Sequence, residues 1–222
     1  LLWFEPQRVC QGTPWYEFKE RANWLLELGN GEDSYKQWKT GGWPFPHEDS
    51  RWIICESRRS QMNEGELLFN IGNSEARRFL TDFISARIDE FGLDWYREDA
   101  NIAPLEYWRH ADTHPCPSKG GDDRQGITEI RYVEGLYALW DELLQHHPHL
   151  MIDNCASGGR RIDLESISRS TALHRTDWAH DSIHAQCHSY GLFYWVPLHM
   201  AGRGSVLKKG NEYEIRSSMT AG

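Results

Sequence analysis

The sequence has no C-x-x-C step and only five cysteines, Cys10, Cys55, Cys116, Cys155 and Cys187, all far apart. An odd, scattered set of this kind fits neither a disulfide framework nor a cysteine zinc site. Long runs of basic charge are also missing. The formal net charge is −9, and without clustered Lys and Arg there is nothing to hold a phosphate backbone, so nucleic acid is not an expected partner. No apolar stretch is long enough to cross a bilayer, and no signal peptide is visible. The chain nevertheless opens at Leu1 without Met, directly in the apolar run LLWF, as a piece of a longer protein would. Cytoplasm and secretion therefore both stay open.

What is present is a chain of 222 residues with 39% hydrophobic content, enough for one sizeable core, and with eleven Trp. Sugars offer apolar C–H faces beside hydroxyls, and flat rings with polar neighbours suit them, although Trp serves cores and interfaces equally. Short apolar strand candidates alternate with amphipathic helices. In NSEARRFLTDFISARIDEFG, residues 73–92, Ala76, Phe79, Leu80, Phe83, Ile84, Ile88 and Phe91 share a helical face, Asn73 caps the start and Gly92 ends it. ITEIRYVEGLYALWDELLQHHP, residues 127–148, repeats the design with Ile130, Val133, Leu136, Tyr137, Trp140, Leu143 and Leu144 as the stripe. Strands are predicted in LLWFEP, GLDWYREDAN, HLMIDNCASGG, TALHRTD and GLFYWVPLH, with a short helix in DLESISRS. Repeated βα units with nearly continuous apolar strands imply a parallel sheet covered on both faces.

In such folds the site lies at the carboxyl ends of the strands. Those ends are Glu5 with Pro6, Asp99 with Asn101, Asn154 through Gly159, Asp177 with Trp178, and His199. Side chains alternate along a strand, so Leu93, Trp95, Arg97 and Asp99 share one face while Tyr96 and Glu98 share the other. One R-x-D step reads as a surface ion pair. Four chemically loaded ends on one rim point instead to a site containing Asp99.

WFEP at Trp3–Pro6, REDAN at 97–101, CASGG at Cys155–Gly159 and RTD at Arg175–Asp177 resemble, in order and spacing, motifs of glycoside hydrolase family 36, the melibiase or α-galactosidase family. The likeness runs over essentially the whole chain. It implies an α/β fold, a partial TIM (β/α)8 barrel holding about strands three to seven. The upstream β-sandwich, the first strands and an acidic pair on the second strand would be absent, because a complete barrel takes about 250 residues. Residues 1–222 would then be a catalytic barrel domain, incomplete at the amino terminus and also at the carboxyl terminus.

The resemblance implies a retaining glycosidase that removes terminal α-linked galactose from oligosaccharides such as raffinose, or from glycoconjugates, by double displacement. Retention needs two carboxyl groups about 5–5.5 Å apart. Asp99 is the implied nucleophile and Asp177 the general acid/base. Arg97, on the strand face of Asp99, favours its ionised form and donates to a sugar hydroxyl, and Trp178 is a candidate dry wall for Asp177. Cys155, Ser157 and Gly158 form a wall beside O2, while Trp3, Glu5, Asn101 and Arg175 line the pocket, although an E-P step at Glu5 also simply ends a strand. No metal or cofactor takes part.

Departures from the family pattern, namely Arg97 for Lys, Ala100 for Phe, GGRR after the CAS turn and TDWAHD after the acid, lie near the pocket. They keep N-acetylgalactosamine or another α-linked sugar, and an inactive carbohydrate-binding relative, as alternatives. A homo-oligomer is compatible with the sequence. A metal-dependent barrel hydrolase ranks last, since the strand ends offer no H-x-H or H-x-D ligands. His180, His184 and His188 share a helical spacing that suits zinc but lack a fixed partner. The HHPH run at 146–149 reads as a solvated helix end. Residues 36–60 read as a long loop whose Trp43 and Phe45 reach a leaving-group sugar.

Overall fold

The structure is a computed structural model that describes residues 1–28, 66–113, 125–171, 182–197, 212, 213 and 216. Along the chain come β1 (Leu2–Phe4), β2 (Arg8–Cys10), a 3-10 helix over Pro14–Glu20, β3 (Leu25–Leu26) and β4 (Glu66–Phe69). After these follow α1 (Ser74–Phe91), β5 (Trp95–Glu98), α2 (Leu105–Thr113), α3 (Ile127–His146), β6 (Met151–Asn154), α4 (Leu164–Ile167) and α5 (Ser182–Phe193).

β1, β5 and β6 lie side by side in that order, all parallel. Thr171 bridges to Asp153 in parallel and donates its N–H to the Ile152 carbonyl, so Thr171 lies on the same edge. Each strand therefore sits beside its successor in the parallel series, the arrangement that repeated βα units favour. Three of the five expected strands are present, and Thr171, the first residue of the fourth expected strand, is bridged to their edge; the rest of that stretch lies outside the described residues.

Sequence reasoning did not anticipate the second sheet. β2, β4 and β3 form a small antiparallel sheet in the order β2-β4-β3, inserted between β1 and α1. Its strands have two to four residues, too short to carry an alternating pattern. Aromatic packing holds it to the helix layer. Trp15 meets Phe83 edge to face at 5.0 Å between ring centroids, and Phe18 meets Phe79 in the same way at 5.0 Å.

α1 follows its sequence signals closely. The Asn73 side chain accepts from the N–H groups of Glu75 and Ala76, and Gly92 closes the helix at φ 59°. α3 spans the expected segment but is rotated about its axis. Its buried face is Tyr132, Gly135, Leu136, Leu139, Trp140 and Leu143, and Ile130 is exposed. Gly135 explains the rotation: a Cβ there would lie 2.1 Å from the Ile71 carbonyl oxygen. Backbone passes against backbone at this point, so the helix presents its glycine face to the turn before α1 rather than its most apolar stripe. Each large side chain buried on that face contributes about 1.5–3 kcal/mol.

The strand expected in GLFYWVPLH is corrected. α5 continues to Phe193, and the N–H groups of Trp195 and Val196 both return to the Leu192 carbonyl in a closing turn. The run at 192–196 is apolar enough for either element, and the helix entering from Ser182 decides its conformation. Among the described residues no helix is long and apolar enough to cross a membrane.

Candidate active site

Register builds the site. Trp3 pairs with Arg97 and Arg97 with Asp153, so these three side chains form a row on one face of the parallel sheet. Glu5, Asp99 and Cys155 each follow that row by two residues and project on the same face beyond the strand ends. Phe4, Glu98 and Asn154 form the next row on the opposite face, toward the helices. The ladder continues past the strands. The Asp99 N–H donates to the Phe4 carbonyl at 2.8 Å, the Cys155 N–H to the Glu98 carbonyl at 2.8 Å, and the Ala100 N–H to the Cys155 carbonyl at 3.1 Å. Asp99 thus sits on fixed backbone.

Its carboxylate is held by donors. Trp3 Nε1 donates to Oδ2 at 3.2 Å, while the N–H groups of Ala100 and Ser157 donate to Oδ1 at 2.9 and 3.4 Å. The Asn101 side chain and the Cys155 thiol also favour its ionised form. Burial raises the pKa of this carboxyl, which is 8% exposed, but hydrogen bonds from Trp3, Asn101, Cys155 and the Ser157 N–H together outweigh burial. The net shift is below the ordinary carboxylate value. Asp99 is therefore ionised and pre-aligned without a charged partner in direct contact.

Arg97 behaves differently from the sequence expectation. Its guanidinium hydrogen-bonds Asp153, whose side chain is 1% exposed, in a buried-edge ion pair across the two strands. Asp99 contributes only a minor part of Arg97's electrostatic environment. Glu5 is occupied as well: Oε1 accepts from the Asn101 N–H at 3.0 Å and Oε2 from Arg8 at 2.7 Å. It ties the loop after β1 to the loop after β5. The Cys155 thiol is pushed up to about 11, chiefly by burial, and is protonated at neutral pH. Ser157 takes φ 50° and Gly158 φ 86° in the tight CASGG turn, where the Ala156 N–H meets the Gly158 carbonyl at 3.0 Å.

Behind the site lies a polar cluster that sequence reasoning missed. Glu98 is fully buried and accepts from Gln7 Nε2 at 2.5 Å, Tyr96 OH at 2.9 Å, Trp140 Nε1 at 2.9 Å and Arg161 at 3.2 Å. Gln7 Oε1 in turn accepts from Tyr132 OH at 2.9 Å and Arg161 at 2.5 Å. This network joins the loop after β1, β5, α3 and the loop after β6 directly beneath Asp99. Arg160, its neighbour, turns toward the site and donates to the Ala156, Ala100 and Ile102 carbonyls and to Ser157 Oγ. Asp153 was detectable from sequence: it precedes Cys155 by two residues as Arg97 precedes Asp99, and aligned strand ends put the two side by side. Gln7 and Arg161 lie in loops whose course no periodicity foretells.

The structure thus brings Trp3, Arg97, Asp99, Asn101, Cys155, Ser157 and Gly158 together at the carboxyl ends of parallel strands, with Glu5 bracing their loops. Asp177, Arg175 and Trp178 lie outside the described residues, as do Trp43, Phe45 and His180. Among the described residues no group of three His, Cys, Asp or Glu side chains is placed to hold a metal ion. In the HHPH run at the end of α3, His146 and His149 are exposed as expected, whereas His147 is buried against Ser85 at 2.7 Å.

Comparison with known proteins bears on the fold and the family. Alpha-galactosidase 1 of Pediococcus pentosaceus is 24% identical over 204 residues, 90% of this chain and 22% of that protein. An α-galactosidase of Lactobacillus acidophilus is 22% identical over 184 residues, 83% of this chain and 20% of its own length. The chain therefore spans about a fifth of these relatives. Among solved structures, the α-galactosidase of Lactobacillus brevis superposes with a TM-score of 0.63 at 21% identity over 100% of this chain and 24% of that one. A Geobacillus stearothermophilus GH36 α-galactosidase in complex with stachyose superposes with a TM-score of 0.63 at 19% identity, covering 98% of this chain and 26% of that one. These likenesses show a shared α/β fold. The melibiase profile matches residues 45–214, well over half of the sequence, and the chain belongs to the melibiase family.

Proposed function

We propose that this chain carries the nucleophilic half of a retaining α-galactosidase site, within a (β/α)8 barrel that the protein completes elsewhere. Residues 1–222 then belong to the catalytic barrel domain, beginning near its third strand. The observation that carries the reading is the Asp99 carboxylate, ionised and ringed by Trp3, Asn101, Cys155 and the Ser157 N–H at a parallel strand end. A nucleophile needs fixed direction and a charge available at neutral pH, and these contacts supply both.

In the proposed reaction an Asp99 oxygen attacks the anomeric carbon as the glycosidic C–O bond breaks, and Asp177 donates its proton to the leaving oxygen. Asp177 then takes a proton from water, which attacks the anomeric carbon, releases Asp99 and yields galactose with its configuration retained. Trp3 is 49% exposed on the site face, so its ring offers a platform for a sugar's C–H face while its N–H holds Asp99. Arg97, fixed by Asp153, is the donor proposed for a sugar hydroxyl. Arg175 and Trp178 complete the pocket in this proposal, Trp178 as the dry wall for Asp177.

The test is turnover of an aryl α-D-galactoside by the full parent protein, with the first-formed sugar anomer read by proton NMR. The proposal predicts α-galactose first. β-Galactose first would replace double displacement with inversion. No turnover of any aryl α-glycoside by folded protein would favour a carbohydrate-binding relative.

A further inference from the structure

Arg160 is exposed at the rim, follows the strained CASGG turn, and makes four contacts there. Nε donates to the Ala156 carbonyl at 2.6 Å, and Nη2 to the Ala100 carbonyl at 3.0 Å, the Ile102 carbonyl at 3.4 Å and Ser157 Oγ at 3.0 Å. One guanidinium therefore staples the loop after β6 to the loop after β5. Ser157 sits at φ 50°, an uncommon conformation for a side chain other than glycine or asparagine. Its hydroxyl touches Asn101 Oδ1 at 3.0 Å.

Hydrogen-bond direction follows from these partners. Arg donates and cannot accept, so Ser157 Oγ accepts from Arg160 and sends its single proton to Asn101 Oδ1. With Oδ1 fixed as acceptor, the amide NH2 of Asn101 is left to face Asp99, whose ionised form the Asn101 side chain favours. Were the amide reversed, its oxygen would confront the carboxylate. The Ser157 N–H reaches Asp99 Oδ1 at 3.4 Å from the same turn.

We infer that Arg160 is a positioning residue: through the Ser157 hydroxyl it fixes the orientation of the Asn101 amide, so that Asn101 donates to Asp99, and it holds the Ser157 N–H toward the same carboxylate. The inference rests on the reading of Asp99 as nucleophile only for its kinetic consequence. Lysine does not replace Arg160, because a point-like ammonium cannot span the Ala156 carbonyl and Ser157 Oγ together.

The experiment uses the full parent chain with Arg160→Ala, Arg160→Lys, Ser157→Gly and the Arg160→Ala, Ser157→Gly pair. The Asp99 titration is followed by carboxyl 13C NMR of labelled aspartate, assigned with Asp99→Asn, and circular dichroism monitors the fold. Ser157→Gly protects against a folding artefact, since glycine tolerates positive φ and the change removes only the hydroxymethyl group. Each alanine or glycine variant is expected to raise the Asp99 titration by about half to one pH unit, Arg160→Lys by less. The pair should not exceed Arg160→Ala alone, because the Ser157 hydroxyl acts only through the relay that Arg160 anchors. An unmoved titration in folded Ser157→Gly, or additive shifts in the pair, would overturn the inference and leave Arg160 as a brace. A titration that moves while the acid limb of kcat/KM stays fixed sustains the relay and refutes Asp99 as nucleophile.

Discussion

Replacing Glu98 with Gln removes one charge from a fully buried site and should cost more stability than its single-atom change suggests. The carboxylate has four donors, from Gln7, Tyr96, Trp140 and Arg161. A glutamine amide offers one oxygen and one NH2, so whichever way it turns, its NH2 faces two of those donors. On one side these are Gln7 and Arg161, on the other Tyr96 and Trp140. Two donors lose their acceptor, at about 1–3 kcal/mol each, and the Arg161 guanidinium, 16% exposed, loses its counter-charge. The expected loss is about 3–5 kcal/mol, equivalent to roughly 6–20 °C in melting temperature for a domain of this size. Differential scanning calorimetry of the parent protein, with far-UV circular dichroism as a second probe, measures it. Glu98→Gln combined with Arg161→Met should cost about 1–3 kcal/mol less than the sum of the singles, because the pair shares one interaction. A loss under about 1 kcal/mol for Glu98→Gln would refute the network as a source of stability.

Three further outcomes follow from other parts of the fold. Gly135→Ala should destabilise by about 3 kcal/mol, since backbone overpacking outweighs the roughly 1 kcal/mol helix preference for Ala; urea unfolding that shows a gain would mean α3 sits farther from Ile71 than 2.1 Å to a Cβ implies. At pH 8 iodoacetamide should label Cys187, which is exposed, and leave Cys155 unmodified, because burial keeps its thiol protonated up to about 11; mass spectrometry of tryptic peptides reads both. Asp99 has a depressed pKa, so its stabilising contribution is complete above its unfolded value of about 3.9 and is lost only as pH falls through the lower folded value. Asp99→Asn should therefore flatten the stability profile below about pH 4 and leave its shape from pH 5 to 8 unchanged, as acid titration of melting temperature will report.

The parallel sheet was legible because GLDWYREDAN and HLMIDNCASGG begin with apolar residues and end in chemically distinctive ones, and because Asn73 and Gly92 punctuate α1 so plainly. The alternation of GLDWYREDAN correctly separated Asp99 and Arg97 from Tyr96 and Glu98. What periodicity could not supply was contact between elements. The α3 stripe that periodicity predicts is one step out of phase because Gly135, the residue that fixes the rotation, carries no hydrophobicity. Alternation makes Arg97 the companion of Asp99, whereas register sets Asp153 beside it, and the shorter path wins the ion pair. The short strands β2 and β3 fall below the length at which alternation registers. The apolar run after Gly191 is compatible with strand or helix, and only the helix entering from Ser182 resolved it.

The central claim, that Asp99 is a nucleophile, is tested most directly by Asp99→Gly in the full parent protein with an aryl α-D-galactoside, with and without azide. A nucleophilic Asp99 predicts a variant that folds, releases no nitrophenol on its own, and regains release with azide as β-galactosyl azide forms in the space the carboxylate leaves. Undiminished turnover without azide, or rescue that gives only the α-azide, would contradict it.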